Sequence, residues 1–135
     1  MSVRIEQLED GFDAYNSGRI GPSDPAVQRI ADDAEWYSMV ARVAGDPYRG
    51  PGGFVRWYED VQDAFEQPTV SSHEYQELGD RVLALGRFSA VGRASGVIID
   101  EPILHVFDFD GDEKIRRYEA HLSPDPELLD RFGWV

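Results

Sequence analysis

The chain has 135 residues, of which 41% are hydrophobic and 12% aromatic, enough for a single domain with a packed core rather than a disordered segment. It carries 26 acidic against 13 basic residues, a net charge of −13, with one lysine, Lys114, and no basic run; this excludes a nucleic-acid or anionic-membrane partner, which needs clustered Lys and Arg. Cysteine is absent, which removes disulfides, thiolate metal sites and thiol nucleophiles.

In chain order, Val3, Leu8, Phe12 and Tyr15 recur at helical spacing over residues 3–17 and stop at Asn16-Ser17-Gly18, a C-cap signal. Pro22-Ser-Asp-Pro25 breaks the chain and offers an N-cap for a short helix over 25–31 carrying Val27 and Ile30. Asp32-Asp33 leads into an expected strand, 34–39, followed by a loop dense in glycine and proline, 44–53. From Gly53 to Phe65, the residues Phe54, Trp57, Tyr58, Val61 and Phe65 share one helical face, with Arg56, Glu59, Asp60 and Asp63 opposite. Three strands are expected at 69–78, 81–94 and 97–109, joined at Gly79-Asp80 and Ser95-Gly96, and another at 115–122. The tail from Pro124 to Arg131 reads as a last helical turn or two.

Helices followed by a curled antiparallel meander form an α+β pattern over one domain, 1–135. The N-terminal segment is charged and has no apolar signal-peptide core, and no apolar run approaches the ~20 residues of a membrane span, so a cytoplasmic protein is expected. Leu83, Leu85, Val91, Leu104 and Val106 have the parity opposite to the helix-packed side of the meander. An antiparallel sheet commonly shows water one polar face, so this second apolar face suggests cover by another subunit, a homodimer.

His105 shares strand parity with Ile103, Phe107 and Phe109. An ionisable ring among large apolar side chains needs a partner, which makes it the first candidate for a site: a general acid or base, or a hydrogen-bond donor to a ligand carbonyl. The competing interpretation is a core histidine satisfied by a tyrosine or a backbone carbonyl. Asp32, Asp33 and Glu35 stand where carboxylates reach a pocket mouth, but a cap or a solvated edge describes them better. Asp100-Glu101 reads as a bulge or loop, and Asp108–Glu113 as a hairpin turn lacking the spacing of a calcium loop. His73, His105 and His121 are scattered, with His121 facing outward, so no metal site and no cofactor are expected. Gly50-Pro-Gly-Gly53 lacks the lysine of a phosphate loop and is expected to shape a helix entry.

Several segments together carry a resemblance: Phe12–Gly18 closing the first helix, Ile30–Trp36 entering the first strand, and Tyr48-Arg-Gly50 before Val55-Arg-Trp57. Gly79-Asp-Arg-Val82 and His105–Phe109, followed by Gly111–Ile115, complete it. In this order and spacing the chain resembles the SnoaL-like branch of the nuclear transport factor 2-like superfamily over nearly its whole length. The resemblance implies a cone-shaped α+β fold, a strongly curved sheet wrapped around N-terminal helices, with a deep pocket and commonly a dimer through the outer sheet face. The superfamily hosts ketosteroid isomerases, polyketide cyclases, epoxide hydrolases and dehydratases, so fold does not give function. His105 falls where the isomerases carry a protonated aspartic acid and the cyclases an acid/base aspartate. Ser38 falls at the isomerases' general-base aspartate and Gly11 at their oxyanion tyrosine, so steroid isomerisation by that route is not expected. The arginine and paired aspartates of limonene epoxide hydrolase are not recognisable.

Strand parity and the family pattern place Trp36, Ser38, Phe88, Ile103, Phe107, Tyr118, Ala120 and Leu122 around one interior, with Tyr15 and Tyr58 approaching from the helices. An aromatic cleft with a few polar groups suits a flat apolar molecule, polyketide-, steroid- or terpene-like. The expectation is therefore a small-molecule-binding protein, acting as a cofactor-free isomerase, cyclase or dehydratase through His105. The alternative is a non-catalytic binding or dimerisation module whose aromatics fill its own core.

Overall fold

A computed structural model describes residues 2–38 and 45–135, without the side chains of Ser72 and His73. Met39, the expected end of the first strand, Ala44, the start of the expected loop, and the side chain of His73 lie outside the described residues.

Helix α1 (Val3–Ser17) begins where the Ser2 hydroxyl accepts from Ile5 N and ends at Gly18, whose φ of +73° closes the last turn. Helix α2 (Pro25–Gln28) is capped by Asp24 and has proline in its first turn. It stops short of the expected residue 31, and strand β1 (Ile30–Tyr37) starts four residues before the expected 34. The reason is long-range: Ile30 pairs with Ile115, which extends the strand at the expense of the helix.

Strand β2 (Tyr48–Arg49) pairs antiparallel to β1 and leads into helix α3 (Gly50–Ala64). This helix starts at Gly50 rather than Gly53, and its glycines have a packing reason. Gly50 has φ +66°, and a Cβ there would lie 2.8 Å from the Asp32 carbonyl oxygen; at Gly53 a Cβ would lie 2.9 Å from the Tyr48 backbone. The turn thus presses the start of α3 onto β1 and β2.

Strands β3 (Phe65–Leu78), β4 (Arg81–Gly92), β5 (Ile98–Phe109) and β6 (Ile115–Leu122) follow, then helix α4 (Pro126–Phe132). The sheet order is β2-β1-β6-β5-β4-β3, antiparallel except that β1 runs parallel to β6. A wholly antiparallel sheet was expected; side-chain alternation is the same for both directions, and only the crossover decides. Register shifts between Glu66 and Thr69, Ser71 and Glu74, and Asp108 and Phe109 bend the sheet into a half-barrel. Pro68, which has no N–H for the ladder, sits within the first of these. Asp100-Glu101 is part of β5 rather than a loop, with the Asp100 carboxylate accepting from Arg87. The 110–114 turn is tied by Asp110, whose carboxylate accepts from the backbone N–H of Asp112 and Lys114.

The inner sheet face, with α1 and α3 against it, forms the main core: Trp36, Val82, Ala84, Phe88, Phe107 and Tyr118 from the strands meet Leu8, Tyr15, Phe54 and Trp57. A second cluster lies on the outer face. Leu83, Leu104 and Val106 are buried there, with Leu85, Leu129, Phe132 and Trp134 packed on them. The cover expected from another subunit is thus supplied, for these three residues, by α4 and the tail of the same chain. The tail is pinned by Gln76, whose side-chain amide donates to the Val135 carbonyl at 2.8 Å and accepts from its N–H at 3.1 Å.

Candidate functional site

The middle of β5 positions the central side chain. Residues 103, 105, 107 and 109 point to the concave face, and His105 has Ala84 and Ala120 as its neighbours on the flanking strands. Two small neighbours leave room for the imidazole, which is 2% exposed. Its Nδ1 lies 2.7 Å from the Tyr118 hydroxyl. Phe12 lies over the imidazole from α1, ring centroids 4.9 Å apart, and Phe107 stacks beside it at 6.0 Å.

Tyr118 is placed by two registers at once, opposite Phe107 on β5 and opposite Trp36 on β1. Its ring stacks on Trp36 with centroids 4.2 Å apart. Burial holds the Tyr118 hydroxyl protonated far above the ordinary tyrosine range. This bond has two proton placements: a phenol that donates to Nδ1 puts the ring proton on Nε2, and an Nδ1–H that donates to the phenol oxygen leaves Nε2 as an acceptor. Trp57 extends the aromatic wall, 5.3 Å from Trp36 and stacked at 5.7 Å on Tyr15. Burial also pushes the Tyr15 hydroxyl well above its usual range.

These rings enclose a chamber of about 90 Å³ between the sheet and the helices. Tyr15, Trp36, Ser38, Phe88, Ile103, His105, Phe107 and Tyr118, each expected from the sequence, are on its wall. Tyr58, also expected, is not: it packs edge-on against Tyr15 at 5.9 Å, and its hydroxyl turns toward the backbone of Ile20. Its helical phase is one step from that of Trp57 and Phe54, which do line the chamber. Asp32 and Asp33 are exposed, and Glu35 accepts from Tyr37 and Arg49, so these carboxylates serve the strand edge. His121 lies on the outer face beside Glu119 and the Phe132 ring.

Among the described residues, none that lines the chamber is an aspartate or glutamate. Arg29 reaches its margin, with its guanidinium donating to the Gln7 carbonyl at 2.8 Å. The Trp36 indole N–H is buried and finds no acceptor among the described residues. No group of three or more His, Cys, Asp or Glu among the described residues is placed to hold a metal ion. No helix among them is long and apolar enough to cross a membrane.

Sequence reasoning missed Phe12 as a wall residue, although its place on the apolar face of α1 carried a signal; Gly11, which the resemblance set at the isomerases' oxyanion tyrosine, is also on the wall.

The sequence matches the family model of a SnoaL-like domain over residues 8–118. No curated protein matches it. Among solved structures it is similar to a nuclear transport factor 2-like protein from Burkholderia thailandensis, at 23% identity and a TM-score of 0.75, with 97% of each chain covered. A hypothetical protein with a ketosteroid isomerase-like fold from Catenulispora acidiphila, crystallised in complex with trimethylamine, matches at 15% identity and TM-score 0.72, over 87% of this chain and 85% of that one. A structure described as a putative SnoaL-like polyketide cyclase from Shewanella putrefaciens matches at 14% identity and TM-score 0.69, with 91% of each covered. At these identities the likeness is one of fold.

Proposed function

Since this chain belongs to the SnoaL-like domain family, we propose that its chamber binds a compact, largely apolar small molecule bearing one hydrogen-bonding oxygen. His105 and Tyr118 form the polar anchor, and the chemistry is proton transfer next to that oxygen, as in a cofactor-free isomerase, cyclase or dehydratase. The observation that carries this is the Trp36 indole N–H, a buried donor with no acceptor among the described residues, on the wall shared with Tyr118 and His105. An orphaned buried donor costs about 1–3 kcal/mol, which a ligand oxygen would recover on binding.

Imidazole is the side chain that both gives and takes a proton near neutral pH, and among the described residues that line the chamber no carboxylate stands beside it. Size limits the ligand. A cavity of ~150 Å³ suffices for benzene, and this one, at about 90 Å³, suits a molecule of a few heavy atoms. Polyketide- or steroid-like substrates require the aromatic walls to move. The trimethylamine in the Catenulispora protein is in the smaller class.

The test uses small neutral ketones, read by thermal midpoint and by exchange of their α-hydrogens for deuterium. Wild type is expected to gain midpoint and to speed exchange. His105→Gln keeps its fold and loses exchange, and Trp36→Phe weakens binding several-fold. Neither a midpoint shift nor exchange in wild type removes the proposal. Binding without exchange selects the second reading, a non-catalytic ligand-binding module.

Assembly is a separate part of the proposal. Association of two copies through the outer sheet face has Leu85 and Val91, half-buried outside the α4 cover, as its support. Sedimentation equilibrium with only a 15.2 kDa species at micromolar concentration removes it.

A further inference from the structure

Gly11 sits in the middle of α1 and lines the chamber. Its backbone is helical, and a Cβ built there would meet no atom within 4 Å. Neither conformation nor packing therefore asks for glycine, which is the poorest helix former after proline. What the glycine leaves is space on the chamber wall.

The next residue bounds that space. Phe12 and Val70 line both the chamber and a second cleft of about 280 Å³ outside it, between α1 and β3, where Glu9, Asp13 and Tyr75 also stand. Val70 is fixed: Asn16 donates to its carbonyl and accepts from its N–H, each at 2.8 Å. Its β-branched side chain is also stiff. Phe12 is half-buried and turns about two bonds, so it is the movable half of the partition.

We propose that Gly11 and Phe12 are specificity-determining residues that set the size of ligand the chamber admits. Gly11 keeps room on the chamber wall for a carbonyl compound of a few heavy atoms, and Phe12 closes the route by which a six-membered ring would extend into the outer cleft. This rests on the ligand class proposed above.

The experiment uses two probes. Xenon, read by 129Xe chemical shift, needs only empty apolar space. A ketone series of acetone, cyclopentanone, cyclohexanone and 1-tetralone, read by shifts of the Trp36 indole N–H, reports size. Gly11→Ala is expected to raise the thermal midpoint, reduce the xenon response and weaken acetone at least tenfold. Phe12→Leu is expected to increase the xenon response, keep acetone and gain cyclohexanone at least tenfold; Phe12→Met repeats this arm should leucine leave the fold unstable. Opposite shifts in the two variants are not produced by general loosening. A wild type without a xenon response, or variants with the xenon and ketone profiles of wild type, overturn the inference. So does Phe54→Leu, on the α3 side of the chamber against Trp36, admitting cyclohexanone as well as Phe12→Leu. Ketones that fail to bind while xenon separates the variants uphold the size determinants and count against the carbonyl ligand alone.

Discussion

The two faces of the sheet are built from the same strands, and each carries a histidine, yet they differ in what seals them and in what the histidine meets. On the concave face His105 lies against an uncharged phenol, under rings drawn from α1, α3, β1 and β6, beside a cavity. On the convex face His121 lies beside a carboxylate, Glu119, which also pairs with Arg117 at 2.7 Å, under a short helix that follows directly in the chain. The first arrangement keeps charge out of a dry space where a ligand oxygen would be felt strongly. The second spends its histidine on a mostly buried ionic contact and has the character of a fastening.

Removing one ring from each side gives the largest expected difference. Trp57→Ala opens the main core against Trp36, Tyr15 and Phe54, and a loss of about 3–5 kcal/mol is expected in chemical denaturation. Phe132→Ala loosens only a half-buried ring on the outer cluster, with an expected loss of about 1–1.5 kcal/mol. Equal losses would mean that α4 is as integral to the fold as α3.

The polar partners separate the faces by pH. Burial raises the Tyr118 hydroxyl in the folded state, so its contribution is complete below the unfolded tyrosine value near pH ~10 and declines as pH rises above it. Tyr118→Phe is expected to flatten that alkaline decline in a denaturation series, while costing about 1–1.5 kcal/mol at neutral pH through the lost bond to His105. An unchanged alkaline limb would show that this phenol does not stay buried through the titration.

The smallest effect belongs to the outer face. Glu119 is held below the ordinary glutamate range, chiefly by its bond to His121 and with Arg117 beside it. A lowered folded value gives stability that is present above the unfolded value of about 4.3 and lost as pH falls below it. Glu119→Gln is expected to cost under ~1 kcal/mol at pH 7, because the glutamine carbonyl still accepts from His121 and only the charge is lost, and to make the acid limb of the stability curve shallower. Thermal midpoints from pH 3 to 7 check it.

How far the sequence was legible depended on the range of the interaction. The alternation of Ile103, His105, Phe107 and Phe109 placed the histidine on the concave face, because successive strand residues point to opposite sides whatever the partner strand. The helical face of Phe54, Trp57 and Val61 was equally plain, but it did not separate Trp57 on the chamber wall from Tyr58 behind Tyr15. Those neighbours differ by one step of helical phase, and the tilt of α3 against the sheet makes the choice.

The sequence by itself determined the longer elements, the two apolar sheet faces and the family, because each rests on local spacing or on the ordered recurrence of short segments along one chain; the short β2 and the boundary between α2 and β1 escaped it. Tertiary structure alone decided the parallel pairing of β1 with β6, the meeting of Tyr118 with both His105 and Trp36, the cover of Leu83, Leu104 and Val106 by α4, and the space at Gly11. Alternation fixes which way a side chain points but not what stands opposite it, since that depends on registers between strands some eighty residues apart. An empty volume leaves no residue in the sequence to mark it.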